Sequence, residues 1–424
     1  MLKSNQAKRR FFTLFALIIA GETIFFLPFV LARIFRPTLL VVFDISNTEL
    51  GTYFSIYGIV AMFSYFFGGP LADRYSSRLL MSLALCLTGL GGFVMYLVPT
   101  KGSMMILYGF WGLTTILLFW AALIRATREW GGVDSQGRAF AWLEGGRGAA
   151  AALLGTLALL VFSDFNSESL NQASISAHRI SALRNVILFT SGFTLLSGAL
   201  VWWFVPDHKD YRPSDRIRFS QIISLLKFPS LWLLAIIIIC AYVGYKISDD
   251  FSLYAHEVLG YDEVKSAALG TGALWMRALV AILAGYFADK VKTSKIIAFC
   301  FAITIIGAGL VASGLLEQIL VLVLINLALV MIGVYGIRAL YFALIQEARI
   351  PIIYTGTVVG IVSVLGFTPD IFMSPWMGYL LDHNPGPVGH RMVFAVLCLF
   401  AVVGILASFA FIHHNKTGSK SLKI

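Results

Sequence analysis

The chain has 424 residues, of which 58% are apolar and 13% charged, with a mean hydropathy of +0.84. So thin a charged surface excludes an ordinary soluble globular protein. The net charge of +10 would suit a nucleic-acid binder if the cations gathered on one soluble face, but they are spread over many short loops, and no nucleic-acid partner is expected.

Apolar stretches of about 20 residues, enough to cross about 30 Å of hydrocarbon at about 1.5 Å per residue, recur along the chain. They are continuously apolar, where a barrel strand would alternate, so they predict helices. Six are expected in the first half: Phe11 to Ile34, Leu50 to Ala72, Leu79 to Val98, Met104 to Ile124, Ala139 to Phe162 and Val186 to Val205. The first follows a basic N-terminus, as in a signal peptide. It carries Glu22 and lacks a small-x-small cleavage site before Arg33, so a retained helix is expected.

Between the sixth and seventh spans, residues 207–229 are rich in charge (His208, Lys209, Asp210, Arg212, Asp215, Arg216, Arg218) and read as a cytoplasmic linker between residues 1–206 and 230–424. Phe219 to Phe228 is amphipathic enough to lie on the membrane surface. The second half supplies Leu231 to Tyr254, Val264 to Ala288, Ile296 to Leu315, Ile319 to Phe342, Ile352 to Gly378 and Met392 to Ile412.

With the N-terminus inside, twenty Lys and Arg residues fall in cytoplasmic segments, among them Lys8, Arg74, Arg138, Arg216, Lys292 and Arg349. Seven fall outside or at the outer edge: Arg33, Arg36, Lys101, Arg179, Arg184, Lys265 and Arg391. The excess of cytoplasmic cations predicts that both termini are cytoplasmic, in the cytoplasmic (inner) membrane. Cys86, Cys240, Cys300 and Cys398 all fall in apolar runs, as free thiols do, and say little about redox compartment.

Two short stretches echo each other. "GGPLADRYSSR" from Gly68 and "GYFADKVKTSK" from Gly285 each close the second span of their half, with Asp73 and Asp289 separated by 289 − 73 = 216 residues. "WAALIRATR" from Trp120 and "YFALIQEAR" from Tyr341 likewise close the fourth. Duplication of a six-helix unit is expected.

The first copy resembles the major facilitator superfamily signature, G-x-L-A-D-R-x-G-R-[RK], through Gly69, Leu71, Ala72, Asp73, Arg74 and Arg78, with Ser76 and Ser77 departing from it. The second keeps Gly285, Ala288, Asp289 and Lys290, with Phe287 in place of Leu. The resemblance implies an all-α membrane fold of two pseudo-symmetric six-helix bundles that transports by alternating access. Spans one, four, seven and ten then line a central cavity, two, five, eight and eleven form the seam, and the others face lipid. It also implies a gating role for the motif, in which the Asp carboxylate sits against a helix N-terminus of the other half, worth about 0.3 to 1 kcal/mol when exposed and roughly 2 when partly buried. The alternative is that these are solvated turn charges.

Ionisable side chains in hydrocarbon cost roughly 2.5 to 3.5 kcal/mol each. Here they are Glu22 in the first span, Glu144 and Arg147 in the fifth, Lys246, Asp249 and Asp250 in the seventh, Arg277 in the eighth, Arg338 in the tenth and Asp370 in the eleventh. Counted from span midpoints at about 1.5 Å per residue, Glu22, Arg277, Lys246, Arg147 and Asp370 share one central layer. Two readings stand: mutual neutralisation that holds the halves together, or a solute and proton pathway. Glu144 and Arg147, at i and i+3, are able to pair directly.

On the second reading, Arg277 grips an anionic group through its fork of donors, with Lys246, Arg147 and Arg338 as further cations of the substrate site. Trp275, Tyr245 and Tyr335 serve as aromatic walls or as plain packing. Glu22, Asp370, Asp249 and Glu144 are the carboxylates for proton coupling, because burial favours their neutral form and a nearby cation the ionised one. Crowded charge in "YKISDDFSLYAHE" and the prolines Pro369 and Pro375 predict interruptions in spans seven and eleven.

No phosphate-binding G-x-x-x-x-G-K-[ST] loop, zinc-ligand spacing or nucleophile elbow occurs, so the expectation is neither an ATP-driven pump nor an enzyme, with no cofactor and no metal. The fifth span reads "EGGRGAAAALLG", without the G-P of the G-x-x-x-G-P-x-x-G-G signature of drug exporters in the family. "REWGGVDSQGRAF" and "GIVSVLGFTPDIF" are similar to stretches of organic-anion and organophosphate branches. Phosphate antiporters, however, are expected to carry Arg on the first and seventh helices, where this chain has Glu22 and Lys246. The expected function is proton-coupled import of a small polar or anionic solute by a monomer. The alternatives are an exporter or lipid flippase of the same fold, or a sensor that does not transport.

Overall fold

The structure, a computed structural model, describes residues 2–132, 136–163, 172–207, 226–288, 290–348 and 355–417. Asp289 and the 208–225 part of the expected linker, with most of its amphipathic stretch, lie outside the described residues.

Among the described residues there are twelve helices long and apolar enough to cross a membrane. They are α1 (Lys8–Ile34), α2 (Asn47–Arg74), α3 (Ser77–Tyr96), α4 (Lys101–Gly131), α5 (Trp142–Ser163), α6 (Ala177–Phe204), α7 (Pro229–Glu257), α8 (Glu263–Ala288), α9 (Thr293–Ser313), α10 (Leu320–Glu347), α11 (Val358–His383) and α12 (Pro387–Lys416). The architecture is all-helical, as the sequence predicts, and the protein is a multi-pass membrane protein. The helix that contains α6, Gln172–Phe204, starts fourteen residues before the expected Val186 (186 − 172 = 14), because polar Arg179 and Arg184 dilute the apolar run while finding partners. Arg184 Nε donates to the Tyr96 carbonyl at 3.0 Å, and Arg179 Nε lies 2.6 Å from Glu263.

Local chemistry sets the helix ends. Ser46 and Glu49 form a reciprocal capping box that starts α2, with Glu49 N–H donating to Ser46 Oγ at 3.1 Å and Ser46 N–H donating to Glu49 Oε2 at 2.9 Å. Ser76 caps α3, Thr100 caps α4, and Asp262 accepts the Lys265 N–H at 2.7 Å at the start of α8.

The chain divides into two compact units. The first is Met1–Pro213 with Asp250–His256 and Gly260–Trp275; the second is Ser214–Asp249, Glu257–Leu259 and Met276–Ile424. The core of the first gathers Tyr53, Phe54, Tyr108 and Trp111 from α2 and α4 with Leu27 and Phe35 from the α1 region. Close to that core, Arg36 donates from Nε and Nη2 to Asn47 Oδ1 at 3.0 and 2.8 Å. Ser252 Oγ donates to the Arg33 carbonyl at 2.9 Å, and Thr38 Oγ1 to Glu263 at 3.1 Å. The second unit packs α7 on α11 and α12, with Leu234, Ile238, Phe301, Tyr341 and Val362 in its core, and Asn326 Nδ2 ties α10 to the Gly307 carbonyl of α9 at 2.9 Å.

Four of the expected cavity-lining helices change pitch. α1 widens to a π turn at Phe26–Val30, where Pro28 lacks an N–H and Val30 N–H reaches back five residues to the Phe25 carbonyl at 3.4 Å. α4 is π-helical over Leu113–Trp120, and the hydroxyls of Thr114 and Thr115 satisfy the Trp111 carbonyl at 3.3 and 2.7 Å. α7 tightens to a 3-10 turn at Ser248–Asp250 and α10 at Tyr341–Ala343. α11 breaks between Gly366 and Pro369, while Pro375 lies inside the continuing helix. The sequence predicts the interruptions of α7 and α11; those of α1, α4 and α10 carry no comparable cluster of polar residues.

Candidate functional site

In the first unit, Glu22 occupies the last regular turn of this part of α1, four residues before the π turn begins at Phe26, and Trp120 ends the π segment of α4. Arg147 of α5 lies between them. Its Nε is 3.5 Å from Glu22 Oε2, its Nη1 donates to Glu144 Oε1 at 2.7 Å, and its guanidinium stands 5.8 and 5.7 Å from the ring centres of Phe25 and Trp120. Gly21 makes room for this arrangement, since a Cβ there would meet Arg147 Cδ at 3.1 Å. Glu22 and Arg147 are buried, whereas the Glu144 side chain is 53% exposed. The i, i+3 pair expected from spacing is therefore formed, and the same cation also faces the carboxylate of α1.

The second unit holds the larger group. Lys246 Nζ on α7 lies 3.2 Å from Asp249 Oδ2 and 3.4 Å from Asp370 Oδ1 on α11. The three residues are 1%, 2% and 8% exposed. Asp370 sits in the first turn after the α11 break and also accepts the Tyr242 hydroxyl at 3.0 Å. One ammonium and two carboxylates together carry one negative charge, which a proton would cancel, and a buried charge is costly without such compensation.

Next to this triad, Arg338 of α10 stands 5.1 Å from the ring centre of Tyr245, 5.1 Å from that of Tyr341 and 5.9 Å from that of Tyr242, and its Nη1 donates to the Tyr341 hydroxyl. Arg277 of α8 stands 5.9 Å from the same Tyr245 ring. Two guanidiniums thus lie within cation–π distance of one tyrosine ring, contacts worth about 0.5 to 2 kcal/mol, and the planar N–H fork of arginine is the side chain that matches a carboxylate or phosphate.

Not every predicted residue joins these groups. Trp275 falls in the first unit, nearly half exposed, and donates from Nε1 to Thr156 Oγ1 at 3.0 Å, whereas Arg277 two residues on belongs to the second unit. Asp250 is fully buried in the first unit, and Tyr335 is buried in α10. Sequence reasoning missed Tyr242, which lies one turn before Lys246 on α7 and links the carboxylate of α11 to the ring beneath Arg338.

In the signature, Gly69, Asp73 and Arg74 are exposed, and Asp73 makes no hydrogen bond or ion pair among the described residues. Arg78 donates to Asp207 Oδ2 at 3.1 Å and lies 4.7 Å from the ring centre of Trp202, so it fastens α3 to the end of α6. Arg125 of α4 donates to the carbonyls of Ala72 and Tyr75, holding the end of α2 that carries Asp73. In the second copy Gly285 is exposed and Lys290 lies on the Tyr286 ring at 4.1 Å.

Residues 11–369 match the Major Facilitator Superfamily. The inner membrane protein YqcE of Escherichia coli (strain K12) is 28% identical over 422 residues, covering 97% of this chain and 96% of that protein. Among solved structures, a bacterial homologue of the human lysosomal transporter Spinster, in an inward-facing and unoccupied conformation, has a TM-score of 0.74 at 16% identity, over 96% of this chain and 98% of its own. The nucleoside transporter NupG has a TM-score of 0.69 at 13% identity, over 95% and 98%. Family match, relatives and fold agree, and the chain is a member of the Major Facilitator Superfamily.

Proposed function

We propose that this transporter-family protein moves a small polar or anionic solute across the cytoplasmic membrane by alternating access, driven inward by protons, as a monomer with both termini in the cytoplasm. The carrying observation is Lys246, buried between Asp249 and Asp370 beside the Arg277, Tyr245 and Arg338 group. Arg277 and Arg338 suit the anionic group, with Lys246 and Arg147 as further cations and Tyr245 as a ring platform. Asp370, Asp249, Glu22 and Glu144, each against a cation, are the groups for proton coupling. The exposed Gly69-Asp73-Arg74 segment and its partner at Gly285 and Lys290 serve as the gating motif, with Arg78 and Arg125 fixing the first copy in place.

An apolar, laterally open cavity would suit a lipid flippase; charged residues on interrupted helices favour a polar cargo instead. The test is uptake by purified protein in vesicles, screened over small organic anions, with and without an imposed pH gradient. Accumulation that requires the gradient supports the proposal. Exchange unaffected by pH would remove the proton, and binding without flux would leave a sensor.

A further inference from the structure

We propose that Tyr242 is the positioning residue through which protonation of Asp370 is communicated to the anion-binding guanidinium of Arg338. The inference rests on the proton-coupled reading above and assigns its link to one side chain.

The geometry is specific. The Tyr242 hydroxyl donates to Asp370 Oδ2 at 3.0 Å, while the ring of the same residue lies 5.9 Å from the Arg338 guanidinium. The ring is also fixed, with centroids 5.6 Å from Tyr245 and 4.8 Å from Phe367, the latter in the α11 break directly before Asp370. Tyr242 thus touches the carboxylate, the Phe367 ring in the break that precedes it, and both the Tyr245 ring and the Arg338 guanidinium.

The charged and titratable groups in contact with Asp370 come from α7, and the other neighbouring helices carry theirs further off. α7 supplies Lys246, Asp249 and Tyr242. α10 supplies Arg338 through the Tyr242 ring, and α8 supplies Arg277 at Tyr245. α12, which also packs on α11, carries His390, Arg391, His413, His414 and Lys416 near its ends. An ionised Asp370 attracts both the Lys246 ammonium and the phenol proton. When a proton binds the carboxylate, both attractions weaken, the phenol is freed to reorient, and Lys246 keeps Asp249 as its charged partner. The polar surface beneath Arg338 changes in the same event.

A ligand-free measurement tests this on the full chain. The infrared band of the protonated Asp370 carboxyl, identified by its loss in Asp370→Asn, is titrated in purified protein from pH 5 to 9. Tyr242→Phe keeps the ring and removes the donor that favours the ionised form. Its midpoint is expected to move up by about one pH unit. Incorporation of 3-fluorotyrosine at position 242, a stronger donor, should move it down, and this arm serves if the phenylalanine variant does not fold. Arg338→Gln should shift the midpoint more in the wild-type background than in Tyr242→Phe, the signature of coupling through the tyrosine.

A midpoint unchanged by both substitutions at position 242 overturns the proposal, as does an Arg338→Gln shift of the same size in the two backgrounds. If the wild-type protein shows no Asp370 titration between pH 5 and 9, the proton-coupled reading fails first and carries this proposal with it. A normal wild-type titration with an inert Tyr242 would overturn the tyrosine's role alone.

Discussion

Lys246 Nζ lies 3.4 Å from Asp370 Oδ1, so that one buried cation joins α7 to α11 within the second unit. Neither Lys246→Met nor Lys246→Gln replaces that charge. At pH 8 Lys246→Met is expected to lower stability by about 3 to 5 kcal/mol, since it leaves buried carboxylates without their cation. The loss should shrink toward pH 5, because carboxylates that take up protons need the ammonium less. Thermal unfolding at the two pH values checks this, and an equal loss at both would refute it. Adding Asp370→Asn should restore part of the stability at pH 8.

Glu22→Gln is expected to abolish pH-driven accumulation while leaving the protein folded. Arg147 keeps its 2.7 Å hydrogen bond to Glu144, so the buried cation is not stranded. Uptake with and without a pH gradient, together with a melting curve, makes the check. Full accumulation in the variant would remove Glu22 from the coupling groups.

The fork of Arg36 is buried and closes on Asn47 Oδ1 at 3.0 and 2.8 Å. Asn47→Ala removes that acceptor and should cost about 1.5 to 3 kcal/mol. Asn47→Asp retains an acceptor and adds a complementary charge, so it should be tolerated. Chemical or thermal unfolding of the pair discriminates, and equal stability of the two variants would contradict the assignment.

Outside the spans, Asp262 is held below the usual carboxylate range. Its partial burial pushes the other way but is outweighed by the N–H and ammonium of Lys265 and the N–H of Val264. A lowered folded-state value means the contribution is present above the unfolded value of about 3.9 and is lost as pH falls below it. Asp262→Ala should cost about 1 kcal/mol at neutral pH, as loss of a helix cap does, with the difference from wild type fading in acid. Unfolding from pH 7 down to pH 3 reads this directly.

The twelve helices are legible in the sequence because hydrocarbon thickness imposes a length and an apolar run that few soluble segments imitate. The ionisable residues within them stand out for the same reason. Their partners do not. Lys246 and Asp370 meet only because α7 packs on α11, and the Tyr242 hydrogen bond joins residues 128 apart, so neither follows from local spacing. The Glu144 and Arg147 pair, by contrast, follows from helical geometry alone. The wide turns of α1 and α4 escape notice because they lie in apolar sequence, where Pro28 is the one marker in the first and the threonine hydroxyls of the second resemble ordinary polar dilution.

Glu22, Lys246 and Arg338 each stand within one turn before a change of helical pitch, and Asp370 directly follows a break. At each of these places the regular i to i−4 bonding gives way to a wider turn, a tighter turn or a break. Each of these side chains is therefore mounted beside a departure from regular helix, the place where a change of backbone torsion would move the charge while the remainder of that helix kept its packing.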